Sequence, residues 1–151
     1  MVAVRVAATA ANLGPGFDAC GLALDWYDEM TLTVGEGDHR AEVTGEGAGD
    51  VPTDSSHLVI KSVLAGLTSL ASGSSSDAPD TKPAKVSGLL LRTHNTIPHG
   101  RGLGSSAAAI VGGLALAHAL ARPDADLDRH WLLAQAALAE GHPDNVAATV
   151  R

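Results

Sequence analysis

The stretch that most constrains this chain is a glycine-rich turn running straight into alanines: Pro98, His99, Gly100, Arg101, Gly102, Leu103, Gly104, Ser105, Ser106, Ala107. Glycine at every second position lets the backbone take φ > 0 and approach a ligand closely, which a Cβ would prevent. Ser105 and Ser106 then stand where a helix begins. The first turn of a helix has unpaired N–H groups and about half a positive charge, so an anion there is stabilised without any side chain. Arg101 adds a cation. The stretch therefore predicts a phosphate site, with a nucleotide as the ligand. It is neither G-x-x-x-x-G-K-[ST], because no Lys follows the last glycine, nor G-x-G-x-x-G. Taken alone, G-x-G-x-G also reads as a strand-to-helix connection capped by serine.

A chain of 151 residues with 45% apolar content has the length and the core material of one domain. Its net charge of −7, with no basic run, argues against a nucleic acid partner, since a polyanion needs clustered positive surface. The apolar stretch from Ala107 to Ala121 is shorter than the roughly 20 residues of a membrane span, so no membrane association is expected. The N-terminus has neither the basic segment nor the apolar core of a signal peptide, which makes the cytoplasm the expected location. The single cysteine, Cys20, reads as a small buried residue rather than a nucleophile. The seven histidines lie scattered with no pair at ligand spacing, which argues against a structural zinc site.

Val2 to Ala8 and Leu22 to Val34 read as strands, the second from the alternation of Met30, Leu32 and Val34. The turn-rich run from Asn12 to Asp18 joins them. Glu42 to Glu46 is expected to be a short antiparallel strand after the turn at Gly35 to Gly37. Asp54 or Ser55 is expected to cap a helix over 56–70, with Leu58, Val59, Val63 and Leu67 on its apolar face. Ala71 to Pro83 reads as a mobile surface loop. Val86 to Arg92 is the strand that feeds the glycine turn, and Ala107 to Leu120 the helix that leaves it. Gly112 and Gly113 each cost that helix about 1 kcal/mol relative to Ala, which predicts close packing against another backbone. Asp126 or Asp128 starts a further helix with Leu127, Trp131, Ala134 and Leu138 on one face, and Gly141 ends it. Asn145 to Arg151 begins like a strand and then stops, as if the chain were part of something larger.

Three polar clusters call for one explanation: Asn12 to Asp18, Pro98 to Ser106, and Glu140-Gly-His-Pro-Asp-Asn145. Together, in order and over nearly the whole chain, they resemble the homoserine kinase branch of the GHMP superfamily of small-molecule kinases. The glycine turn alone points only to the superfamily; the first and third clusters point to the branch. The resemblance implies an α+β fold like the GHMP kinase N-terminal domain, with a mixed sheet covered by helices and residues 1–151 forming the ATP-binding domain. It implies that Pro98, His99, Gly100, Arg101, Gly102, Leu103, Gly104, Ser105 and Ser106 wrap the phosphates of ATP. It also implies that Ser106 and Glu140 hold Mg2+, and that Asn12, Asp18, His142 and Asp144 surround L-homoserine. By the same resemblance Asn145 and Asp144 are the residues nearest the chemistry, with Asp144 mainly a substrate ligand.

Taken singly, several of these have plainer readings. Asn12 and Asp18 serve as turn formers, Asp144-Asn145 as an Asx turn after Pro143, His142 as a surface residue and Glu140 as a solvated side chain in a last helical turn. The sequence departs from the family in two respects. His57 stands where the family often has Asn near the adenine, and full-length members are about twice as long, the other half being a C-terminal domain with substrate-clamping arginines. The expected activity is ATP-dependent phosphorylation of the homoserine hydroxyl, weak or absent in this chain by itself. Another GHMP kinase and a nucleotide-binding remnant without turnover are the alternatives, and an exposed sheet edge would favour a homodimer.

Overall fold

The structure is a computed structural model describing residues 1–15, 20–72, 86–141 and 144–150. Asp18 and His142 lie outside the described residues, as does the Ser- and Pro-rich segment beyond Ser72 up to Pro83. Among the described residues the elements run β1 (Val2–Ala11), β2 (Gly21–Gly35), β3 (Arg40–Gly45), α1 (Leu58–Ser72), β4 (Gly88–Asn95), α2 (Ser105–Ala121), α3 (Arg129–Glu140) and α4 (Asp144–Val150). The strands form one mixed sheet in the order β1-β2-β4-β3.

β1 pairs antiparallel with β2, and β2 antiparallel with β4. β3, expected to be antiparallel, instead runs parallel to β4, with Ala41 opposite Leu91 and Val43 opposite Thr93. The physical reason is the connection: α1 lies between β3 and β4 and forms a crossover, which brings the second strand back in the same direction. Strand alternation then sorts the faces. Met30 and Leu32 of β2 and Leu89 and Leu91 of β4 are buried with Val6 and Ala8 of β1 in the core. The opposite face carries exposed charge, with Arg5 paired to Glu29 at 3.3 Å and Arg92 to Glu42 at 2.7 Å.

α2 is buried along its length, from Ala107 to His118. A Cβ added at Gly113 would lie 2.6 Å from both the Val59 carbonyl oxygen and the Ser62 Cβ of α1. At Gly112 it would meet Met30 Sδ of the sheet at 2.6 Å. The expected backbone packing thus holds for Gly113, while Gly112 makes room for a sheet side chain.

The expected face of α1 is buried at Val59 and Val63, with Leu67 packed on the core, and extends to Ile60 and Gly66; of that face only Leu58 is exposed. α3 buries Leu132 and Ala136, leaving Leu127 and Leu138 exposed. In α3 two adjacent apolar stripes satisfied the same periodicity, and packing against α2 and α4 selected between them. Asp128 caps α3 by accepting the Trp131 N–H at 3.0 Å, and Gly141 closes the helix with φ 90°. The expected terminal strand is the helix α4 instead, whose first residue, Asp144, accepts the Asn145 backbone N–H at 2.8 Å. Cys20 is exposed rather than buried.

Candidate active site

The glycine turn connects β4 to α2. Gly100, Gly102 and Gly104 have φ of 67°, 71° and 69°, whereas Arg101 and Leu103 between them are not in the positive-φ region. Such alternation turns successive N–H groups toward a shared concavity, a geometry that binds anions. Gly104 is the residue before α2 and offers no side-chain cap. The N–H groups of the first turn therefore remain for a ligand, and the first helical bond runs from Ala108 N–H to the Gly104 carbonyl at 2.8 Å.

Thr9 of β1 holds this turn. Its N–H donates to the Leu103 carbonyl at 3.0 Å, and a Cβ at Gly104 would collide with its Oγ1. The β1–β2 register slips between Ala7 and Thr9, a bulge that re-aims the strand here. The Thr9 hydroxyl also donates to Asn145 Oδ1 at 3.3 Å. Beyond it, Asn12 takes a left-handed conformation at φ 59°, and its Nδ2 donates to Asp144 Oδ2 at 3.2 Å. Thr9 thus ties Asn145 to the glycine turn, and Asn12 bonds to the neighbouring Asp144.

Ser106 and Glu140 sit on helices that pack on each other, Ser106 in the first turn of α2 and Glu140 at the last position of α3. Near the far end of α2, His118 meets Trp131 of the first turn of α3, with ring centroids 5.7 Å apart.

A cavity of about 380 Å³ opens beside the turn, lined by Ser105, Ser106 and His99. Val51, Pro52 and Leu58 give it an apolar wall, and Lys61, His57 and Asp28 also reach it. His57 caps α1 by accepting the Val59 N–H on Nδ1 at 3.2 Å, so its proton belongs on Nε2. Burial lowers its pKa and keeps the ring neutral. Asp28 accepts two backbone N–H groups, from Thr96 at 2.6 Å and Ile97 at 2.9 Å. Burial pushes its carboxyl up; those N–H groups and the nearby His99 and His94 pull it partly back. His99 packs on Gly47, where a Cβ would collide with its ring.

Thr9, Asp28 and Lys61 were not singled out in the sequence. For Asp28 a signal existed: it shares parity with Met30 and Leu32, so the alternation puts an acid on the buried face. Thr9 carried none, because a threonine inside a strand is ordinary.

The residues fit a nucleotide and Mg2+. An uncapped helix N-terminus behind alternating-φ glycines suits phosphate, and a partly apolar cavity beside it suits the rest of a nucleotide. A hydroxyl and a carboxylate are the few hard oxygens Mg2+ takes when phosphate and water complete its shell. Among the described residues no three His, Cys, Asp or Glu side chains gather around a metal position. Nor, among them, is any helix long and apolar enough to cross a membrane.

Comparison with known proteins accords with this geometry. A homoserine kinase from Cutibacterium acnes is 51% identical over 150 residues, covering 99% of this chain and 47% of that protein. The crystal structure of homoserine kinase from Cytophaga hutchinsonii superposes with a TM-score of 0.72 at 29% identity, covering 98% of this chain and 46% of the other. The mevalonate kinase of Methanococcus jannaschii shares the fold, with a TM-score of 0.69 at 12% identity over 99% of this chain and 51% of that one. The chain spans about half the length of these relatives. The family model for the GHMP kinases N terminal domain matches residues 75–151, half of the chain, and the chain therefore belongs to the GHMP kinase family.

Proposed function

We propose that this chain is the ATP-binding part of a cytoplasmic homoserine kinase, which phosphorylates the side-chain hydroxyl of L-homoserine to give O-phosphohomoserine, a step toward threonine. One observation carries the reading. The match to a homoserine kinase extends over 150 residues and so spans the segments that hold all three polar clusters.

Phosphoryl transfer depends on alignment and charge neutralisation more than on covalent help from protein. In this reading the N–H groups from Gly100 to Ser106 bind the phosphates and Arg101 adds charge. The Ser106 hydroxyl and Glu140 carboxylate would hold Mg2+, which when bound would neutralise charge on the phosphates. Asp144, oriented by Asn12, pairs with the homoserine ammonium group; the family resemblance adds Asp18 and His142 as further substrate ligands. Asn145, held by Thr9, sits beside the acceptor hydroxyl as a polar ligand rather than a strong base, and transfer is direct. Asp144→Asn should then raise the homoserine KM with little change in kcat. A lost kcat at unchanged KM would make Asp144 the base instead.

The substrate assignment is tested by presenting L-homoserine, mevalonate and galactose with ATP and following phosphate esters by phosphorus NMR. An ester from homoserine alone supports it, and one from either other substrate contradicts it. A second reading is nucleotide binding without turnover. It predicts ATP-analogue binding with no ester formed from any acceptor.

A further inference from the structure

We propose that Asp28 is a positioning residue for the nucleotide, acting by fixing the junction between β4 and the glycine turn. This rests on the reading of that turn as the phosphate site. β4 ends at Asn95 and the turn begins at Pro98, so residues 96 and 97 set the direction in which the turn leaves the sheet. Neither has a strand partner in the register with β2, which ends at the Glu29–His94 pair. Their N–H groups go instead to one acceptor, Oδ1 of Asp28. The Thr96 hydroxyl adds a third tie, donating to the Tyr27 carbonyl at 2.7 Å. Ile97 is fully buried, so the junction is anchored on the core side as well.

A buried carboxylate in a cavity that receives phosphates is electrostatically unfavourable unless it serves another purpose. Here both backbone bonds fall on a single oxygen, and among the described residues no hydrogen-bond donor engages Oδ2. What the position requires is therefore one carbonyl-like acceptor and not a negative charge. An asparagine amide oxygen supplies the same acceptor, and an apolar side chain does not.

The experiment is calorimetric titration of the full chain with a non-hydrolysable ATP analogue and Mg2+, for Asp28→Asn, Asp28→Leu and Leu132→Ala. The last removes core volume between α2 and α3 and matches a general loss of stability without touching the junction. Asp28→Asn should bind within about threefold of the parent, and Asp28→Leu should lose roughly tenfold or more, as expected for two forfeited hydrogen bonds. Leu132→Ala should melt earlier yet bind normally. Amide exchange at Thr96 and Ile97 should stay slow in Asp28→Asn, which keeps the test open should the leucine variant not fold. The proposal is overturned if Asp28→Asn binds as weakly as the leucine variant or exchanges those amides freely. It is also overturned if folded Asp28→Leu binds like the parent. If neither Asp28 variant nor the parent binds the analogue, it is the phosphate-site reading beneath the proposal that fails.

Discussion

Gly104 bears two constraints at once, a positive φ and the Thr9 hydroxyl where a Cβ would stand. An alanine there carries left-handed strain and crowding together, so Gly104→Ala should destabilise the protein by about 2–4 kcal/mol. Chemical denaturation measures this, and a loss below about 0.5 kcal/mol would contradict the packing described. Gly100 and Gly102 meet only the first constraint, since nothing lies within 4 Å of a Cβ at either. The need for glycine at all these positions was legible in the sequence, because few residues other than glycine accept φ > 0. The Thr9 contact was not, since it joins residues far apart in sequence and depends on a strand bulge. The same limit applied to Asn12, whose residue type suited a turn while its partner, Asp144, came from the other end of the chain.

At the scale of elements, strands were readable from alternation and the glycine-turn helix from its composition. Boundaries and faces were less so. Asp128 and Gly141 marked α3 correctly because capping and a left-handed stop are local chemistry. Of its expected face Trp131 packs on His118 while Leu127 and Leu138 are exposed, and Leu132 and Ala136 on the neighbouring stripe are the buried residues, a choice made by packing against α2 and α4. The short α4 looked like a strand because Val146, Thr149 and Val150 are β-branched, and its helical state is set by tertiary packing and by the Asp144 bond to its first turn. The α1–α2 contact yields a direct prediction. Gly113→Ala should improve helix propensity yet destabilise by about 1–3 kcal/mol, because its Cβ meets the Val59 carbonyl. A more stable variant in urea denaturation would show that the helices are free to separate.

For the whole molecule, the mixed sheet and its helical cover were foreseeable only through the family resemblance. Parallel pairing of β3 with β4 follows from the α1 crossover, which no local pattern encodes. Global stability should depend on pH through two buried histidines. Burial, aided at His118 by the charge of Arg122, lowers the pKa of His57 and His118 below the ordinary 6.5, although Asp128 pulls His118 the other way. The unfolded chain then binds more protons than the folded one below about pH 6.5, so stability is full above that pH and falls as the solution is acidified. The melting temperature should drop between pH 7.5 and pH 5.5. His118→Leu, against Trp131, should reduce that drop, and an unchanged slope would remove His118 from the account.

The central claim is that the glycine turn at the head of α2 binds nucleotide phosphate with Mg2+. Thermal denaturation of this chain, with and without Mg2+ and a non-hydrolysable ATP analogue, tests it most directly. At about a hundred times its dissociation constant the analogue should add about 2.7 kcal/mol. The gain should require Mg2+ and vanish in Ser106→Ala. A folded protein whose melting is unmoved by the analogue, or a shift that Ser106→Ala leaves intact, would contradict the claim.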